Sequence, residues 1–194
     1  MKLLSLGDES IHKTHKNFQR FLEAGYVDLS FKDASIQTIY RILVKFLCEK
    51  YNSTEEYCAL IGIPSNKRLE LREEQGQEID FLDNNYFIYH SKSRNYPNAS
   101  YAKLRKFNGQ IFQTELIRNR HAVFIYAIEN LLSSYNIKYL LYNLHEPIVE
   151  KINTTSNYYY PYDLEKVRDT VFFDSPADVS YAKQLKEYYY DNNR

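Results

Sequence analysis

The chain has 194 residues, with 25 Lys plus Arg against 25 Asp plus Glu and a formal net charge of zero. That length fills one domain with a sizeable core, and without excess positive charge there is no field to hold a phosphate backbone, so nucleic acid is excluded as an expected partner. Cys48 and Cys58 are the two cysteines and stand in no metal-type or redox-type spacing, so no disulfide framework, zinc site or cofactor is expected, and reduced thiols in a cytosol fit.

The opening stretch after Lys2 is too short for a secretory core before Asp8 and Glu9 intervene. No run of about 20 apolar residues suggests a membrane span. Met1 to Leu6 reads as a short buried strand. Ile11, Phe18, Phe21 and Leu22 then recur at helical spacing until Gly25 ends the pattern. Tyr26 to Ser30 can form a second strand. From Ala34 onward, Ile36, Ile39, Tyr40, Ile42, Leu43, Phe46 and Leu47 draw an apolar stripe down a helix of about five turns. Tyr57 to Ile63 is nearly continuously apolar up to Pro64, the pattern of a strand covered on both faces.

Between Ser65 and Asn98 the pattern changes. Leu69, Leu71, Ile79, Phe81, Phe87 and Tyr89 alternate with charged residues around Gln75-Gly76-Gln77 and Asp83-Asn84-Asn85, which predicts an antiparallel ribbon inserted at about residues 66–97. Tyr101 to Tyr135 carries apolar residues at three-to-four spacing, interrupted near Asn108-Gly109, as two consecutive helices or one kinked helix would. Ile137 to Leu144 is a clean strand ended by His145-Glu146-Pro147. Val171-Phe172-Phe173 is a strand stub before Asp174, and Val179, Ala182, Leu185 and Tyr189 mark a terminal helix. Alternating strands and helices imply right-handed crossovers and a mostly parallel sheet with helices on both faces, in a single domain spanning 1–194. The triplets Tyr158-Tyr159-Tyr160 and Tyr188-Tyr189-Tyr190 read as partly buried amphipathic rings.

In open α/β sheets ligands bind at the carboxyl ends of the strands. That rule selects Gly7-Asp8-Glu9-Ser10, Gly62 through Arg68, His145-Glu146 and Asp174-Ser175. Asp8 and Glu9 read as helix-start carboxylates facing first-turn amides, and Asn66 as a turn residue after Pro64. His12 and His15 are three apart with no carboxylate to complete a metal set, and both are expected on a solvent-exposed face. His90 and His121 carry no motif. Arg68, Arg72, Arg94 and Arg105 are dispersed among acidic residues as on a solvated surface. No Gly-x-Gly-x-x-Gly or P-loop is present to cradle a nucleotide.

Leu4-Ser5-Leu6-Gly7-Asp8, Ala34-Ser35-Ile36-Gln37, Leu60-Ile61-Gly62 with Arg68-Leu69-Glu70, and Asn136-Ile137-Lys138-Tyr139-Leu140 ahead of Asp174 follow one another in an order that resembles the SGNH/GDSL hydrolases, notably a group encoded by tailed phages. The resemblance implies a three-layer α/β sandwich of flavodoxin-like SGNH architecture with the small antiparallel insertion. It also implies catalysis by a serine nucleophile, a histidine three residues after an aspartate, and oxyanion donors from a backbone amide, a glycine and an asparagine. Here Glu9 takes the serine's place and Ser10 follows it. Ala177 stands three residues beyond Asp174, and the second glycine block reads Lys32-Asp33-Ala34.

Loss of nucleophile or base removes orders of magnitude of rate. The expectation is therefore a non-catalytic relative in host cytoplasm or virion, serving assembly or binding of a protein partner or of itself through the ribbon and the tyrosine-rich carboxyl-terminal third. The alternative is a weak esterase or carbohydrate deacetylase acting on a small ester, with Ser10 as nucleophile, His145 as base and Asp174 orienting it. Gly7, Asp8, Gly62 and Asn66 would then serve the oxyanion or its turn.

Overall fold

Short apolar strands that alternate with amphipathic helices give this chain an α/β fold built on a parallel sheet. The computed structural model describes residues 1–8, 11–31, 34–64, 68–72, 86–90, 114–143, 158–159, 182–183, 185–187 and 189–191, with side chains for all of these except 13, 68–72, 86–90, 114–118, 143 and 158–159. In chain order the elements are β1 (Lys2–Leu6), α1 (His12–Leu22), β2 (Gly25–Asp28), α2 (Ile36–Glu49), β3 (Tyr57–Ile63), β4 (Arg68–Arg72), β5 (Tyr86–His90), α3 (Thr114–Ser134), β6 (Lys138–Asn143) and β7 (Tyr158–Tyr159). Residues 182–183, 185–187 and 189–191 are helical.

The main sheet has the order β2-β1-β3-β6-β7, every neighbouring pair parallel. β4 and β5 form a separate antiparallel pair, Arg68 opposite His90 and Arg72 opposite Tyr86. The outermost described strand of the main sheet is Tyr158–Tyr159, paired with Leu141 and Tyr142. The first tyrosine triplet therefore supplies a strand that its composition alone had not suggested. The strand stub at 171–173 lies outside the described residues.

Period-two alternation along each central strand divides the core. Leu4, Leu6, Ala59, Ile61, Ile63, Tyr139 and Leu141 meet α2 and α3 on one face. Leu3, Cys58, Leu60, Leu140 and Tyr142 meet α1 and the helical residues Ala182, Leu185 and Tyr189 on the other. β3 is buried at all seven positions, as its continuous apolarity requires. Each fully buried Leu or Ile side chain here contributes roughly 1.5–3 kcal/mol relative to an exposed one.

The helices start and stop for identifiable reasons. Ser35 caps α2: its Oγ accepts from the Thr38 amide at 3.2 Å while its own amide donates to Thr38 Oγ1, a reciprocal capping box. α1 stops at Glu23, which takes the left-handed conformation (φ 51°) as the amides of Glu23 and Ala24 donate to the Arg20 and Gln19 carbonyls. Gly25, expected to end the helix, is instead the first residue of β2, where its amide donates to the Met1 carbonyl at 3.1 Å. No helix of the described residues is long and apolar enough to cross a membrane.

Candidate functional site

β1 delivers its last residues to the carboxyl edge of the sheet between β2 and β3, which is where the strand order reverses. Gly7 makes the turn off that strand with φ 147°, and a Cβ there would stand 2.8 Å from Ile11 Cδ1 and 3.1 Å from the Gly62 carbonyl oxygen. Gly7 and Gly62, singled out separately in the sequence, are thus brought into one close approach. Asp8 follows with 3% exposure, and its carbonyl accepts from the Ile11 amide at 3.2 Å, opening α1. Ser10, Asn66, His145 and Asp174, the remaining candidates, lie outside the described residues.

Just beneath this edge, on the α1 face, a chain of polar side chains crosses the apolar layer. Tyr26 OH donates to Ser5 Oγ at 2.9 Å, Ser5 Oγ lies 2.7 Å from His15 Nδ1, and His15 Nε2 lies 2.7 Å from Tyr142 OH. Ser5 Oγ and Tyr142 OH can each donate or accept, so either tautomer of the neutral ring has both of its nitrogens satisfied. Ser5 and His15 are fully buried, and Tyr142 is nearly so.

Burial, followed by the neighbouring His12, pushes the His15 imidazole down to about 3, so the ring is neutral across the ordinary pH range. Its solvent-exposed reading is therefore corrected: the ring sits inside the core because Ser5 and Tyr142 satisfy both nitrogens there. His12, one turn earlier, does reach the surface, with Asp28 Oδ2 at 3.4 Å from Nδ1 and Ser30 Oγ at 3.2 Å from Nε2.

A serine hydroxyl within hydrogen-bond reach of an imidazole is the arrangement of a nucleophile and its base. Here the hydroxyl is on a central strand with no exposed surface, so the pair holds the core in register and admits no substrate. The sequence did carry a signal for it. Position 15 falls between Ile11 and Phe18 on the helical stripe, and position 5 falls on the same strand face as Leu3, so two polar residues stood on two faces that had to meet. Cys58 is free and buried in this layer, its thiol pushed up to about 12 by desolvation, which leaves it unreactive.

On the opposite face, α3 carries a second buried imidazole that the sequence did not reveal. His121 has no exposed surface, and neither ring nitrogen has a hydrogen-bond partner among the described residues; the same holds for Nε and Nη2 of Arg120. Desolvation and then the adjacent Arg120 charge push His121 down to about 4. His121 continues the stripe of Ile125, Ile128 and Leu132 by one step, which is the position pattern that places it inside. Among the described residues, no group of three or more His, Cys, Asp or Glu side chains is placed to hold a metal ion.

Compared with family models, with curated proteins and with solved structures, the chain matches none.

Proposed function

We propose that the chain is a non-catalytic domain of SGNH/GDSL type, phage-encoded, that serves as an assembly or protein-binding module. In this reading the parallel sheet is the centre of a three-layer flavodoxin-like sandwich, and β4 with β5 belongs to the inserted ribbon. The observation that carries the reading is the fate of the serine and imidazole that do meet. Ser5 and His15 sit 2.7 Å apart with no exposed surface, committed to the core.

Its contact surfaces are aromatic and apolar. Val123 and Tyr126 are 63% and 44% exposed three residues apart on the outer side of α3. Tyr190, also exposed, borders a groove of about 470 Å³ with Phe21, and Lys186 Nζ lies 5.7 Å from the Phe21 ring centroid and 5.8 Å from that of Tyr190. Aromatic side chains with a polar handle are the residues that dominate interface energetics.

The test is labelling of the purified protein with a fluorophosphonate serine-hydrolase probe, beside an active member of the hydrolase family and the variants Ser10→Ala and His145→Ala. The expected result is no labelling of the wild type beside a labelled control. Labelling that disappears in both variants overturns the reading and establishes the ester hydrolase instead.

A further inference from the structure

Arg120, half-buried, and His121, fully buried, are neighbours in α3, and among the described residues two guanidinium nitrogens of the first and both ring nitrogens of the second are buried without hydrogen-bond partners. The unpartnered atoms of Arg120 are Nε and Nη2. These two share one edge of the guanidinium, with parallel N–H bonds spaced to meet the two oxygens of a carboxylate or phosphate. His121, adjacent and fully buried, adds one N–H donor and one acceptor nitrogen in its neutral form. Native proteins pair buried polar groups, and a set left open in one place calls for a missing partner.

No such partner stands among the described side chains of α3: the buried carboxylate there, Glu129, lies nine residues farther along, about 13 Å at 1.5 Å per residue, at the Tyr139 hydroxyl. A water could satisfy one or two of the atoms but brings no negative charge to the half-buried guanidinium.

The place in the fold suits a ligand. α3 ends at Ser134, and the turn through Tyr135, Asn136 and Ile137 leads directly into β6, so the helix runs back against that strand. His121 is 13 residues before Ser134, about 20 Å along the helix, and β6 spans about the same length over its six residues. Arg120 and His121 therefore stand level with the carboxyl edge of the sheet. The rings of Tyr40 and Phe124, 5.6 Å apart, set α2 beside α3. One turn nearer the edge, Arg120 and His121 come alongside the first turn of α2, whose positive dipole end favours an anion.

We propose that Arg120 and His121 form a binding site for the oxyanion group, carboxylate or phosphate, of a small molecule, gripped by the Nε/Nη2 edge of Arg120 and a ring N–H of His121. The site lies on the α2/α3 face, apart from the Gly7 turn, and does not depend on whether the domain retains hydrolase chemistry.

The experiment follows the NMR shifts of Arg120 Nε and the His121 ring nitrogens in the full chain during titration with sodium acetate and, separately, sodium phosphate, against sodium chloride at matched ionic strength. The expected result is a saturable shift at both residues with one or both anions and none with chloride; the anion that binds more tightly assigns the group as carboxylate or phosphoryl. Arg120→Lys, which keeps the charge but loses the edge, is expected to weaken that binding by about tenfold or more. Shifts no larger than those with chloride overturn the proposal, as does a folded Arg120→Lys that binds like wild type. If that variant does not fold, the wild-type titration decides alone.

Discussion

His15 has a folded-state affinity for protons far below that of an ordinary imidazole, about 3 against 6.5, and this makes it a stability device with a defined pH window. Above about 6.5 the ring is neutral in both folded and unfolded chains and the network is fully stabilising. As pH falls through the window the unfolded chain takes up the proton and the folded one does not, so stability declines by about 1.4 kcal/mol per pH unit until the folded ring itself titrates near 3. We predict that the stability gap between wild type and His15→Gln, measured by urea unfolding, narrows as pH falls from about 7 to about 4, because only the wild type carries this proton linkage. A gap that stays constant would show that the ring is not held neutral. At this scale the sequence was least legible. Polar residues are assigned outward by default, and only the coincidence of Ser5, His15 and Tyr142 on facing stripes makes burial affordable. Arg120 and His121 were hidden for a related reason, since one imidazole at the head of an apolar stripe differs from an exposed one only in what packs over it.

At the level of elements, termini were harder to place than interiors. The apolar run Tyr57–Ile63 coincides with β3, because a strand covered on both faces leaves no residue to argue over. The stop of α1 shifts to Glu23, where hydrogen bonds to Gln19 and Arg20 carbonyls hold a non-glycine residue in the left-handed region, while Gly25 is drawn into pairing with Lys2. Tyr158–Tyr159 had no alternation to mark it and gains its strand character from β6 beside it. Gly7 is the junction where a substitution should tell most. Its positive φ is unfavourable for any side chain, and Ile11 and the Gly62 carbonyl occupy the space a Cβ needs. Gly7→Ala is expected to destabilise the chain by about 1–3 kcal/mol or more in denaturant unfolding, with the far-ultraviolet circular dichroism of the folded state retained. A loss below a few tenths of a kcal/mol would mean that the turn relaxes freely.

For the molecule as a whole, the alternation of strand and helix disclosed a parallel α/β sheet, because a parallel pair must be joined by a crossover and the apolar periods change along with it. The order in which strands lie cannot be read from periodicity. β3 takes the centre, between β1 and β6, since it is the strand with no polar face to leave at an edge. The amino-terminal half, β1 through β3 with α1 and α2, closes by local crossovers, whereas the other side of β3 is completed only by β6. A chain cut after Pro64 should therefore present an unpaired, continuously apolar strand to solvent. We predict that a 1–64 fragment sediments as aggregate under conditions where the full chain remains monodisperse; a monomeric, folded fragment would contradict this account of the central strand.

Synthesis imposes the same cut on every molecule for a time. Ile63 and Lys138 are 75 residues apart, and at about 5–20 residues per second the ribosome takes roughly 4 to 15 seconds to travel from one to the other. Through that interval the emerging polypeptide carries half a sheet with its stickiest edge bare. Translation speed and chaperone occupancy over this stretch therefore act on a species that the equilibrium stability of the finished domain does not protect.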